Sequence, residues 1–261
     1  MIFVGVTYYE RRVIMSEPIY PIKYTKLQRG ISSPFLVQLN NQSLYVVKFK
    51  NNPKGPRVLV NEFVAGELAK LLNLPVPSFK ILPFPPPNSG HQFCSKYIPK
   101  AFGLPKNPPA KHLISNRKEI IGLILFDYWI NNIDRHRNNI LLKQNSNGMY
   151  HVYIIDHSHC FPGHHRWSIH SLRNGPQKLK SRSVHHWIAS LLDDFSEFDE
   201  CLEKIMNISK ESLRKIISSI PQDWDVSHDE RLALLNYLLR IQTKMPKIAN
   251  YIKINYYSSH Q

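Results

Sequence analysis

The sequence predicts an α+β chain in which a small β-rich lobe precedes a mainly helical one. Three observations carry this expectation. One hairpin pattern lies near the front of the chain and a second near its middle, and everything from Ser183 onward reads as amphipathic helices with short breaks such as "SIPQDWD" at 219–225. A length of 261 residues suits one large domain or two small lobes, and an apolar fraction of 43% is enough to bury a core.

Taking the elements in order, "SPFLVQLNNQSLYVVKFK" holds two β-rich runs, Phe35–Leu39 and Leu44–Phe49, around the turn-forming "NNQS". Folding this hairpin about Asn41 returns Lys48 to the side of Ser33 and Pro34. The preceding "QRGISS" then lies near Lys48, where a small loop with free N–H groups could face an anion. In "RVLVNEFVAGELAKLLNLPVP" the residues Leu59, Phe63, Leu68, Leu71 and Leu72 approximate a helix face, and Pro75 ends it. The Pro-rich stretches at 82–90 and 99–111 read as loop around a short central segment. "NRKEIIGLILFDYWINN" follows as one long, buried helix. The second hairpin pairs "NILLKQ" with "MYHVYIID" about the turn "NSNG".

Composition narrows the function classes. Cys94, Cys160 and Cys201 are far apart and lack CxxC spacing, which argues against a disulfide framework or a four-thiolate zinc site and fits a reducing cytoplasm. The opening "MIFVGVTYYERR" is too short to span a bilayer and carries its charge on the wrong side for a signal peptide, so no membrane role is expected. Met15 opens "MSEPIYPIKY", and residues 1–14 are read as an upstream extension. A formal charge of +15 favours an acidic or nucleic-acid-associated partner without choosing between them.

The middle hairpin carries the chemistry. Folding about NSNG returns Asp156 to the end that holds Asn139, and Asp134 sits in the loop feeding the first strand. Two carboxylates and an amide oxygen at one loop end are hard oxygen ligands, the set that Mg²⁺ takes when phosphates complete its shell. Lys48 supplies a cation for those phosphates. One Asp for the attacking hydroxyl, an Asn and an Asp for the metal and a Lys for the nucleotide are the parts of phosphoryl transfer, and the Asp-x4-Asn spacing matches a kinase catalytic loop.

The residues also resemble the HipA-like kinases, within the wider protein-kinase and phosphatidylinositol-kinase group. The likeness runs over residues 20–225 through "GISSPFLVQL", "YVVKFKNNPKGPRVLVNEFVAGELAKLLNLPVP", "FDYWINNIDRHRNNILL", "YIIDHSHCF" and "IPQDW". It implies a two-lobed, protein-kinase-like fold, with a nucleotide-binding lobe at 15–98 and a lobe at 99–261 carrying the catalytic loop, metal site and helices. It implies an ATP- and Mg²⁺-dependent serine/threonine kinase with a protein substrate. Lys48 would hold the α and β phosphates, paired with Glu62, for which Glu67 is the alternative. Asp134 would be the catalytic base, Asn139 and Asp156 the metal ligands, and His136 would orient the loop or touch the moving phosphate. Gly30, Ser32 and Ser33 would cover the phosphates, and the backbone of Phe93, Cys94, Ser95 and Tyr97 would form the hinge against adenine. "DHS" at 156–158 replaces the D-F-G of ordinary protein kinases, Asn132 stands in place of the H-R-D histidine, and no A-P-E follows.

Other readings compete. A small-molecule kinase of the aminoglycoside or sugar type uses nearly the same phosphate-handling residues. A nonenzymatic nucleic-acid binder would exploit the charge, and a pseudokinase would bind nucleotide without transfer. The histidines of "DHSHCFPGHHRW" match no structural zinc spacing, and Asp156, Ser158 and His159 are too close in sequence for a hydrolase triad.

Overall fold

Alternating side chains and tight turns build the front of the chain. In the computed structural model, which describes residues 19–27, 33–86, 88–175 and 182–257, β1 (Pro21–Lys26), β2 (Phe35–Leu39) and β3 (Leu44–Lys48) form an antiparallel meander. The turn between β2 and β3 places Gln42 at φ 63°, and Asn41 Oδ1 accepts from Ser43 N at 3.1 Å. β1 was not expected from sequence. It is a largely exposed edge strand that starts on Pro21 and slips its register with β2 between Pro21 and Lys23. The extension at 1–14 lies outside the described residues.

α1 (Arg57–Leu71) follows and is apolar on nearly every side, so it is buried from Val58 to Gly66. It ends where Asn73 takes φ 56°. The Pro-rich region differs from its reading as loop. β4 (Phe79–Phe84) and β5 (Gly90–Lys96) pair antiparallel across it, and β5 inserts between β3 and β4 to give the order β1-β2-β3-β5-β4. Buried Gln92 holds the turn, its Nε2 donating to the carbonyls of Asn88 at 2.8 Å and Gly90 at 3.0 Å while Oε1 accepts from Lys50 N.

The second part begins with β6 (Phe102–Gly103), then α2 (Arg117–Ile120) and α3 (Leu123–Trp129). These two helices occupy the single long helix expected. The interruption is slight, since Ile121 keeps helical dihedrals (φ −57°, ψ −39°). It falls at Gly122, where a Cβ would meet Cys201 Sγ at 3.0 Å. β7 (Ile140–Gln144) and β8 (Tyr150–Ile154) form the second hairpin, closed by Gly148 at φ 77° and by Asn145 Oδ1, and β6 adds to its edge. α4 (Ile169–Asn174), α5 (Ser183–Ala189), α6 (Phe195–Met206), α7 (Lys210–Ser218), α8 (His228–Gln242) and α9 (Met245–Ile252) complete the helical part. Side-chain caps start several of them, including Asp194, Ser209 and the Ser227/Glu230 capping box. Among the described residues, no helix is long and apolar enough to cross a membrane.

One main core runs from α1 through α3, β7 and β8 into the C-terminal helices, while a smaller one fills the far face of the first sheet. α1 is therefore rooted in the helical part. Fully buried Asn61 fixes it there: Nδ2 donates to the carbonyls of Ser158 (2.8 Å), Cys160 (3.3 Å) and His164 (3.2 Å), and Oδ1 accepts from Trp167 Nε1 (2.8 Å). A second tie joins β5 to the "PQDW" segment, where His91 N donates to Asp223 Oδ2 at 2.9 Å and Trp224 Nε1 donates to His91 O at 2.8 Å. Asn61→Leu strands a buried indole N–H and is expected to cost about 1–3 kcal/mol. Urea unfolding measures this, and an unchanged midpoint at unchanged slope would refute the role given to Asn61.

Candidate active site

The register of β3 and β5 decides which side chains reach the cleft. Val46 and Lys48 face one side of the sheet, Tyr45 and Val47 the other, and across the ladder Ser95 pairs Val46 while Phe93 pairs Lys48. Val46, Lys48, Phe93 and Ser95 therefore line a cleft of about 750 Å³ between the sheet, α1 and the β7–β8 hairpin. Tyr97 lines it as well, with its backbone N–H committed to Leu44 O at 2.9 Å. Cys94 pairs Val47 and turns away into the smaller core, where burial pushes its thiol up to about 12. Of the phosphate-covering loop, Gly30 and Ser32 lie outside the described residues. Ser33 takes φ 49° and stands next to Pro34, which lines the cleft as Ser33 does not.

Lys48 is the junction of the site. Its buried Nζ donates to Glu62 Oε1 from α1 and to Asp156 Oδ1, the latter at 2.8 Å. Glu67 instead pairs with Lys70 on the exposed face of α1. His157 N adds a bond to Glu62 Oε1 at 3.1 Å. Burial alone would lower the pKa of the Lys48 ammonium, but Asp156 and Glu62 outweigh it and hold it raised, so this cation stays charged. Burial likewise opposes ionisation of Asp156, and the Lys48 charge with the Ser158 hydroxyl reverses that, so its carboxyl is held well below the usual range. Asp156 takes φ 59° two residues past the end of β8, a backbone state that Asp tolerates better than most residues.

The loop between α3 and β7 carries Asp134, whose side chain is 39% exposed into the cleft. A buried frame shapes this loop. Arg135, fully buried, donates from Nε to Asp127 Oδ2 and from Nη2 to Asp127 Oδ1, both at 3.0 Å, and from Nη1 to Ile155 O at 2.8 Å and Asn139 O at 3.3 Å. Asn132 bridges the frame to the site, its Nδ2 donating to Asp127 Oδ1 and its Oδ1 accepting from Asp134 N at 3.1 Å. His185 Nε2 lies 2.9 Å from Asp127 Oδ2. Sequence reasoning missed Asp127, Arg135 and His185 as parts of the site. The signal was there in one residue, a carboxylate inside the apolar run "LILFDYWI", which only a buried partner makes tolerable.

Asn139 Nδ2 donates to Asp134 O at 2.8 Å, which directs the amide, and its Oδ1 has no donor among the described residues. Asp156 commits Oδ1 to Lys48 and Ser158 and leaves Oδ2 without a hydrogen-bond donor among them. One amide oxygen and one carboxylate oxygen, unengaged at the cleft wall beside a permanent cation, fit a hard divalent ion with phosphate ligands. His136 Nε2 and His159 Nδ1 stand 3.8 and 3.6 Å from Asp134 Oδ2, and His159 Nδ1 is also 3.1 Å from Ser158 Oγ. His159 was not among the residues expected at the site.

A β-rich part and a helical part enclosing a cleft, with a carboxylate-held lysine facing an Asp-Asn loop, define a kinase-type phosphotransferase, a class that works on a nucleoside triphosphate with a divalent cation. The chain belongs to the HipA-like kinase family, whose sequence model matches residues 22–252. Its fold is similar to that of a Helicobacter pylori proinflammatory kinase, CtkA, with 16% identity and a TM-score of 0.60 over 91% of this chain and 96% of that one. It is also similar to Shewanella oneidensis HipA, solved with HipB and operator DNA, with 13% identity and a TM-score of 0.53 over 92% of this chain and 67% of that one. At such identities the likeness speaks to fold alone. Among curated proteins none matches the chain.

Proposed function

We propose that the protein is an ATP- and Mg²⁺-dependent serine/threonine protein kinase of the cytoplasm, with residues 15–98 holding the nucleotide and 99–261 supplying the catalytic loop and metal ligands. The observation that carries this reading is Lys48, held charged by Glu62 and Asp156 in the same cleft as Asp134. In a pseudokinase these parts would have no reason to be kept together with Asn139.

In this reading the apolar walls at Val46, Phe79, Phe93 and Ile154 take adenine, and Lys48 holds the phosphates. Asn139 and Asp156 hold Mg²⁺, which when bound offsets charge on the phosphate oxygens. Asn132 fixes the backbone of Asp134, so its carboxylate is aimed where an acceptor hydroxyl can enter. The hydroxyl oxygen bonds to the γ-phosphorus as the bond to the β-phosphate oxygen breaks. The hydroxyl proton goes to Asp134, and ADP leaves with the electron pair.

The test is incubation with γ-labelled ATP and Mg²⁺, wild type beside Asp134→Asn, with label read separately on the protein, on cell-extract proteins and on small molecules. Loss of a general base lowers rates by about 10²–10⁴-fold, so label on protein should nearly vanish in the variant. Label confined to small molecules would replace the protein-kinase reading with a small-molecule kinase. No Asp134-dependent transfer at all would overturn both.

A further inference from the structure

The cleft is lined by cationic and imidazole side chains to which the proposed transfer gives no role. Lys48 is matched by Glu62 and Asp156, but the lining of the cleft also includes Lys54, His136, His159 and His165. Lys54 has no carboxylate partner among the described residues, and its backbone N–H is pinned to Asn52 Oδ1 at 2.8 Å in the loop after β3. Both ring nitrogens of His165 are shielded from solvent and lack a hydrogen-bond partner among those residues. His159 stacks edge-on to His165 with ring centroids 5.7 Å apart. Burial disfavours protonation of His165, and the titratable and charged groups facing it, His159, Lys54, Arg166 and His164, act in the same direction. Among the described residues Asp134 is the carboxylate that reaches this group, at 3.6 Å from His159 and 3.8 Å from His136.

An uncompensated lysine and an imidazole with both ring nitrogens unsatisfied, set in the same cleft as a catalytic carboxylate, are ready to receive an anion. We propose that Lys54, His159 and His165 form an anion subsite for the acceptor, so that the kinase selects a serine or threonine with an acidic or already phosphorylated side chain within a residue or two of it in the peptide. The inference rests on the protein-kinase reading above and adds the substrate class. Lys54 supplies a fixed charge, and the imidazoles of His159 and His165 supply N–H donors. The +15 charge of the whole chain draws the same acidic peptides toward the cleft.

The experiment uses the full chain with a fluorescent serine peptide in four versions, flanked by Asp, by phosphoserine, by Ala or by Lys. Peptide Kd is measured by anisotropy with ADP and Mg²⁺ present, and kcat/KM is measured with ATP. Wild type should favour the Asp or phosphoserine peptide over the Ala peptide by at least about 10-fold in both, a difference of about 1.4 kcal/mol. The better of the two acidic versions identifies the natural flank as carboxylate or phosphate. Lys54→Ala/His165→Gln should erase that preference while leaving the KM for ATP and transfer to the Ala peptide near wild type. Equal Kd values for the Asp, phosphoserine and Ala peptides would overturn the proposal, as would a preference that survives the double variant. A rise in the KM for ATP matching the loss on peptides would assign the cluster to the nucleotide phosphates and overturn it too. Acid-selective binding without transfer would sink the kinase reading and spare the subsite; transfer without selectivity would do the reverse.

Discussion

Asp127→Ala is expected to lower stability by about 3–5 kcal/mol, because it leaves the Arg135 guanidinium buried without its counter-ion. That corresponds to a fall in melting temperature of about 6–20 °C. Asn132 and His185 lose a partner in the same step, and with them goes the bridge that holds Asp134 N. The double variant Asp127→Leu/Arg135→Met separates two roles of the pair. Apolar replacement of a whole buried ion pair is often neutral for stability, so the double variant should melt near wild type. Its transfer activity should stay low, because the guanidinium that joins Ile155 O and Asn139 O to the catalytic loop is then gone. A double variant as active as wild type would show that the frame contributes to stability alone.

The same carboxylate gives a signed pH dependence. Burial would raise the Asp127 pKa, but Arg135 and His185 outweigh it and hold it depressed in the folded protein. A depressed folded value contributes stability that is fully present above the ordinary aspartate titration near pH ~3.9. That contribution is lost as pH falls from there toward the lower folded value. Asp156, depressed by Lys48 and Ser158, adds a loss over the same window. Melting curves between pH 7 and pH 3 should therefore be flat at first and fall steeply below about pH 4. Asp127→Asn should show a shallower acid limb from a lower starting point, and an acid limb parallel to wild type would contradict the assignment.

Lys48→Met should lower kcat/KM for transfer by about 10²–10³-fold, the usual loss when one positioned charge on a transferring phosphoryl group is removed. The fold should tolerate it less well than a surface change, since Glu62 is then buried with only the His157 N–H among its described donors. Glu62→Gln should be milder, because Asp156 still anchors the ammonium at 2.8 Å. Nucleotide Kd by calorimetry, measured beside turnover, distinguishes lost binding from lost chemistry. Turnover of Lys48→Met within a few-fold of wild type would remove Lys48 from the mechanism.

Much of the fold could be read ahead of the structure where local chemistry decides it. The NNQS and NSNG turns carry Asn and Gly at positions that need them, so both hairpins were legible from a dozen residues each. Lys48 and Asp156 were each traceable by strand alternation and turn geometry alone. β4 and β5 were not, because prolines at 83, 85 and 86 mask a weak alternation and β5 finds its second partner in β3, more than forty residues upstream. That the Cys94 side chain turns from the cleft while its neighbours Phe93 and Ser95 line it depends on strand register, which sequence spacing does not supply. The Asp127–Arg135–His185 frame closes over 58 residues, a distance at which no motif speaks. Asn61 looked like an ordinary helix residue until its carbonyl partners, about a hundred positions away, were in place.

The ties that root α1 and β5 in the helical part bear on how fast such a machine can run. Asn61 and Trp167 fasten one flank of the cleft, and His91, Asp223 and Trp224 fasten the other. With both flanks fastened, any parting of the walls has to break one of these ties. Spent nucleotide must leave through a fixed mouth or wait for a buried cluster of hydrogen bonds to open. Under the proposed kinase reaction, product dwell time is therefore expected to exceed the time of transfer, and a pre-steady-state burst of transferred phosphate is the expected sign of it.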